Sequence, residues 1–234
     1  MSTPPVVPRQ DWEAAHERLL VKEEELARAR RELAAERCRL PWLAVGGEYV
    51  FDGPRGSVRL VDLFEGRRQL LLYRAFLEPG VLGWPDHVGV GCSMMADQVA
   101  GIAHLNARNT TLAYVSRAPQ PEIQQVKARM GWTMPWYTIL DEFDADFGVD
   151  QGHGTNAFIR DDEAVYRTYF VNARGYEALG SVWSYLDITA LGTRRLGRTH
   201  QPAVRRPRRS SVAGGVGGLT RILHLGDVAP RVGA

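Results

Sequence analysis

The residues of this 234-residue chain that could carry chemistry are few: two cysteines, six histidines and some carboxylates near glycine-rich turns. Cys92 stands out. It lies in Trp84-Pro85-Asp86-His87-Val88-Gly89-Val90-Gly91-Cys92-Ser93-Met94-Met95-Ala96-Asp97-Gln98, between an apolar run, Gln69 to Phe76, that reads as a buried strand and an amphipathic segment that reads as a helix. A cysteine at a helix N-terminus meets unpaired backbone N–H groups and the positive end of the helix dipole, which favour thiolate over thiol. A dithiol site would also need a cysteine three residues earlier, and that residue is Gly89. The expectation is a redox turn holding one of its two thiols, with Cys92 as the catalytic residue.

The other candidates have plainer readings. His87, five residues before Cys92, could act on the thiol as a nearby cation or base, but an exposed loop position is the simpler description. His153, in Gly152-His153-Gly154-Thr155-Asn156, precedes a strand expected beside the reactive turn and could line the site or sit in a solvated loop. His87, Cys92, His104 and His153 lack zinc-ligand spacing, so no metal is expected. Asp144 and Asp146 could be read as paired acid/base carboxylates, with turn and capping roles as the simpler alternative. Met94, Met95 and the tryptophans are assigned to the core. No glycine motif suited to a phosphate follows a strand, so no cofactor is expected.

The elements that must position Cys92 follow from hydrophobic period. Residues 9 to 38 form the clearest helix: Trp12, Leu19, Leu26 and Leu33 recur every seven residues, with Ala15 and Ala29 on a neighbouring row and charges elsewhere. Such a stripe fits an arm packed on its own domain or, since a seven-residue repeat is what a coiled-coil seam requires, a dimerising helix. Arg39-Leu40-Pro41 ends it. A hairpin is expected over residues 48–60, a helical turn over 61–66, a strand over Gln69 to Phe76, a helix from Ser93 to Leu105, a strand over Thr110 to Ser116 and a helix from Pro121 to Met130 that stops at Gly131. Strand–helix–strand–helix at this spacing argues for parallel units with right-handed crossovers. Trp136 to Ile139, a hairpin of 157–160 with 164–170, and a last helix over Gly175 to Leu186 complete the order of a thioredoxin-type α/β fold.

Composition limits the class. Apolar residues make up 44% of the chain, enough for a globular core. Residues 1–8 show no signal-peptide pattern and no run approaches a membrane span, so a soluble cytoplasmic protein is expected. Two cysteines, Cys38 and Cys92, are too few for a disulfide scaffold and fit a reducing compartment. The net charge of +2 conceals an asymmetry: from Gly192 onward nine arginines face one acid, Asp227, so the tail carries +8 and the first 191 residues −6. The tail's Arg205-Arg206-Pro207-Arg208-Arg209 and its glycines 214–218 cannot bury enough apolar surface to offset ordering entropy and read as disordered. Specific nucleic-acid binding is not expected, because aromatic interleaving and a recognisable module are missing.

Several motifs together are similar to one family. Trp12-Glu13-Ala14-Ala15, Leu19-Leu20-Val21-Lys22-Glu23, Gly91-Cys92-Ser93, Ala96-Asp97, His104-Leu105-Asn106-Ala107-Arg108, Val115-Ser116-Arg117-Ala118-Pro119, Arg129-Met130-Gly131-Trp132 with Pro135-Trp136, Asp144-Ala145-Asp146-Phe147-Gly148-Val149 and Tyr185-Leu186-Asp187 resemble the bacterial thioredoxin-like proteins grouped as domain of unknown function 899, which resemble peroxiredoxins more distantly. The resemblance covers about residues 5 to 191. It implies a thioredoxin fold and suggests dithiol–disulfide oxidoreductase chemistry, with members commonly carrying Cys-x-x-Cys. Here Gly89-Val90-Gly91-Cys92 keeps only the second position, and the arginine-rich tail replaces an acidic and aromatic ending.

These readings divide the chain into a helical arm (1–40), a thioredoxin-like domain (41–191) and a basic tail (192–234). The expected function is thiol–disulfide oxidoreduction at a degenerate site, with monothiol chemistry at Cys92 toward an oxidised thiol or peroxide. The alternative is a catalytically silent domain kept for protein interaction. Expected partners are an unidentified thiol or disulfide substrate and a second copy of the chain through the N-terminal helix.

Overall fold

A computed structural model describes residues 4–172, except 100, 150, 151 and 163, together with 179–181. Within them a single eight-stranded sheet runs in the order β1-β8-β7-β4-β5-β6-β2-β3. The strands are β1 (Leu43–Ala44), β2 (Val50–Gly53), β3 (Gly56–Arg59), β4 (Gln69–Arg74), β5 (Thr110–Ser116), β6 (Trp136–Ile139), β7 (Gly154–Asp161) and β8 (Ala164–Val171). The helices are α1 (Arg9–Arg37), α2 (Val90–Asp97), α3 (Ala103–Asn106), α4 (Gln120–Met130) and α5 (Phe143–Asp146), with a 3₁₀ turn at Leu60–Phe64.

At the centre, β4 and β5 pair in parallel from Gln69↔Thr110 to Arg74↔Val115, and β5 pairs in parallel with β6. β7 lies antiparallel on the other side of β4 and pairs with β8 as a hairpin. Two parallel strands joined by a helical crossover, flanked by an antiparallel hairpin, make this a thioredoxin-type fold. A second hairpin, β2 with β3, extends the sheet beyond β6, with Phe51 opposite Ile139.

Side-chain alternation assigns the two faces of the central strands. Tyr73 and Tyr114 point to one face, where they join Trp84, Cys92, Met95, Ile123, Val126, Trp132 and Trp136. Leu70, Leu72, Ala113 and Val115 point to the other, against Phe51, Leu63, Phe143, Phe147 and Phe158. Cover on both sides is why β4 and β5 read as nearly continuous apolar runs.

The structure corrects several expectations. The helix predicted from Ser93 to Leu105 is two helices, α2 and α3, because Gly101 adopts the left-handed conformation at φ 59° between them. Trp12 and Trp42 are exposed, unlike Trp84, Trp132 and Trp136. No residue of α1 is buried, so the arm does not pack its stripe on its own domain. The edge strand β1, paired to Arg167 and Tyr166 of β8, is too short to carry a periodic signal. The helix predicted at Gly175 to Leu186, apart from 179–181, and the tail lie outside the described residues. Among the described residues no helix is long and apolar enough to cross a membrane.

Candidate functional site: a buried thiol at the reactive turn

The site is assembled where β4 ends and α2 begins. The loop between them is fastened to α4: the Trp84 indole N–H donates to Glu122 at 2.6 Å and Arg129 donates to the Pro85 carbonyl at 2.7 Å, beside a cis Trp84-Pro85 bond. Gly89 is the N-cap of α2, with extended φ −60° and ψ 133°. Cys92 is the third residue of the helix. Ser93 closes the turn by donating from its hydroxyl to the Gly89 carbonyl at 2.9 Å.

Cys92 does not face the open helix end. It is 7% exposed, packed among Tyr73, Met95 and Trp84 in the core. Two donors point at its sulfur: the Tyr73 hydroxyl at 3.2 Å and the Phe76 backbone N–H at 3.3 Å. Burial pushes the thiol above its ordinary value of 9.0, while these two hydrogen bonds and the positive charge of Arg74 act in the opposite direction without cancelling it. The expectation of a thiolate favoured by the helix end is therefore corrected in direction, since desolvation outweighs these stabilising contacts and shifts Cys92 toward the thiol.

Tyr73 links the thiol to its surroundings. Its ring meets Tyr114 edge-on with centroids 4.8 Å apart, and the Tyr114 hydroxyl donates to the Met95 carbonyl of α2 at 3.2 Å. His153 stands beside the same ring at 6.4 Å. Burial and the nearby Arg74 charge lower the His153 pKa, so its imidazole is neutral at pH 7. The structure thus brings His153 to the site, whereas His87 and His104 are exposed on the surface.

Below the thiol, the carboxyl end of β4 carries a buried charge cluster. Arg74, 1% exposed, donates to Glu78 and to Asp144 at 3.2 Å each and to the Ala75 carbonyl at 3.1 Å. Arg117 grips Asp144 with Nε at 2.9 Å and with a second, shorter bond, and donates its backbone N–H to Glu78 at 3.1 Å. Burial works to raise the Asp144 pKa, but the bonds from Arg117 and Arg74 hold it below its ordinary value. Asp146 instead accepts from the Tyr49 hydroxyl at 2.8 Å, which contributes, after burial, to lifting that phenol to about 12. Asp144 and Asp146 are therefore two separate structural acceptors and not an acid/base pair.

Tyr73, Arg74, Glu78 and Arg117 escape a search for catalytic motifs. One signal was available: an arginine inside Leu70-Leu71-Leu72-Tyr73-Arg74-Ala75-Phe76-Leu77 must be buried with its strand, and a buried arginine requires carboxylate partners. Cys38, the other cysteine, is free and exposed after α1. Among the described residues no group of three or more His, Cys, Asp or Glu side chains could hold a metal ion.

A thioredoxin-type sheet with a cysteine in the first turn of the helix after its central strand defines a thioredoxin-like protein. The chain belongs to the family described as bacterial protein of unknown function (DUF899), whose model matches residues 1–208. None of the curated proteins compared matches it. Among solved structures it is similar to a peroxidoxin, BcpB, from Mycobacterium tuberculosis (17% identity over 54% of this chain and 80% of that one, TM-score 0.39). It is also similar to a thiol:disulfide interchange protein from Bacteroides sp. (11%, 69% and 97%, TM-score 0.41) and to a yeast mitochondrial 1-Cys peroxiredoxin (14%, 63% and 78%, TM-score 0.38).

Proposed function

We propose that this protein is a single-thiol redox protein in which Cys92 reacts with small oxidants. The observation that carries the reading is the pair of donors, Tyr73 O–H and Phe76 N–H, aimed at one buried sulfur. Donors placed on a sulfur stabilise the thiolate more than the thiol, so they lower the cost of ionisation at the moment of reaction. The 7% exposure of Cys92 supports a small oxidant, such as a peroxide, over a folded partner's disulfide.

In the proposed step, Cys92 loses its proton and its sulfur attacks one peroxide oxygen. An S–O bond forms, the O–O bond breaks, and the leaving oxygen takes a proton to depart as water or an alcohol. The sulfur is oxidised by two electrons to a sulfenic acid and the peroxide is reduced. With Gly89 at the paired position, reduction falls to an external thiol: one thiol displaces water to give a mixed disulfide, and a second releases Cys92 and leaves as the external disulfide.

Burial and the raised thiol pKa favour a second reading, the catalytically silent domain, because a protonated cysteine is a poor nucleophile. The two separate in Cys38→Ser, which removes the exposed thiol. Treated with hydrogen peroxide and dimedone, this variant is expected to gain one dimedone adduct on Cys92 by peptide mass spectrometry. A folded variant that stays unlabelled under peroxide sufficient to oxidise Cys38 in the parent chain would leave the silent domain as the correct reading.

A further inference from the structure

The longest element of the fold serves nothing described so far. α1 runs for 29 residues, about 44 Å, with no buried residue. Trp12, Leu19, Leu26 and Leu33 are 57, 51, 51 and 45% exposed, one per seven residues along one line. A helix with no buried residue is held by propensity, by local pairs such as Arg9–Glu13 at 2.8 Å and by the contact of Arg37 at its end. The arrangement calls for a covering partner, and the charges indicate which.

With the Trp12–Leu33 line as the first core position of the heptad, Ala15, Lys22, Ala29 and Glu36 take the second core position. Asp11, Arg18, Glu25 and Glu32 then flank the seam on one side and His16, Glu23, Arg30 and Arg37 on the other. In a parallel, in-register pair each residue of the first flank meets the residue five positions later on the other chain. The four pairings are Asp11 with His16, Arg18 with Glu23, Glu25 with Arg30, and Glu32 with Arg37. The last three are opposite in sign. The two alanines leave room for close approach, and the charged residues of the seam are Lys22 at its middle and Glu36 at its end. An antiparallel pair sets like flanks together, and in the register centred on this seam Arg18 would meet Glu25 and Glu23 would meet Arg30, but Asp11 would meet Glu32, so the parallel pair has one more opposite-sign pairing across its flanks and no like-charge one.

We infer that α1 pairs with α1 of a second copy of this chain as a parallel, in-register coiled coil. Both copies of the thioredoxin-like domain then stand at the same end of the coil. Arg37, whose guanidinium lies 4.9 Å from the Tyr169 ring centroid, marks that end on each chain.

The test uses the full chain and its own exposed thiol. Sedimentation equilibrium is expected to give a dimer, and Leu19→Glu with Leu26→Glu a monomer whose near-UV circular dichroism is unchanged, since neither leucine is buried in the domain. Glu25→Arg alone should weaken the dimer, and adding Arg30→Glu should restore it. Cys38 follows α1, so a short bis-maleimide should link two chains in a parallel dimer and fail to do so in Cys38→Ser. A monomeric parent chain overturns the inference, as does a dimer that survives the leucine changes, and a dimer that resists cross-linking through Cys38 overturns the parallel arrangement.

Discussion

Gly89 stands three residues before Cys92, at the N-cap of α2. A Cβ on Gly89 would meet Leu82 Cδ1 at 2.9 Å, which is the free end of a side chain 49% exposed and able to rotate away. Its backbone, at φ −60° and ψ 133°, suits any residue. Gly89→Cys should therefore fold and place two thiols one helical turn apart, within reach of a disulfide. Under mild oxidant the variant is expected to lose both thiols of the turn to an intramolecular bond and to reduce insulin with dithiothreitol, and the parent is expected to do neither. Two thiols that remain free in the folded variant would show that residues 89 and 92 do not share a redox turn. The position of Cys92 in the first turn of the helix after β4 was legible in the sequence. Its burial was not, because a helix-end position fixes the dipole a side chain meets but not which way the side chain turns, and here it turns into the core against Tyr73.

At the scale of elements, the charge cluster locks the ends of β4, β5 and α5 together beneath the thiol. Asp144, 1% exposed, bonds Arg74 and Arg117 at once. Asp144→Asn should destabilise the fold by about 3–5 kcal/mol in urea unfolding, since it leaves Arg74 buried with a reduced partner. Arg117→Ala should cost less, on the order of 1 kcal/mol, because its side chain is 39% exposed and solvent screens the pair. Equal losses would mean that burial of Arg74 does not govern the cluster. The central strands and α4 were read from period and flanking residues because they bury two faces, or one, over at least six residues. The break between α2 and α3 was not, since an isolated glycine inside an apolar helical pattern is compatible with continuation.

For the whole molecule, pH sets stability through groups whose proton affinity the fold changes. His153 is held below its ordinary 6.5, so the folded state binds fewer protons than the unfolded chain in acid, and stability falls as pH drops below about 6.5. Asp144, also lowered, adds a further loss as pH passes downward through its ordinary 3.8. Cys92 is raised, so its contribution is intact below pH 9.0 and is lost as pH rises beyond it. The midpoint of thermal unfolding should therefore be flat from about pH 6.5 to 9 and decline on both sides. His153→Gln should remove the part of the acid decline that begins near 6.5. An unchanged acid limb would place His153 in solvent.

The central claim, that Tyr73 and the Phe76 N–H prepare a buried thiol for reaction, is tested most directly by the pH dependence of Cys92 oxidation. In Cys38→Ser, the rate of sulfenic acid formation with hydrogen peroxide should rise with pH to a midpoint above the ordinary thiol value of 9.0. Tyr73→Phe removes one donor at 3.2 Å, and a hydrogen bond to a charged group is worth about 1.5–3 kcal/mol. That variant should shift the midpoint upward by about one to two pH units and slow the reaction roughly tenfold or more at pH 8. A folded Tyr73→Phe protein with an unshifted midpoint and an unchanged rate would contradict the claim.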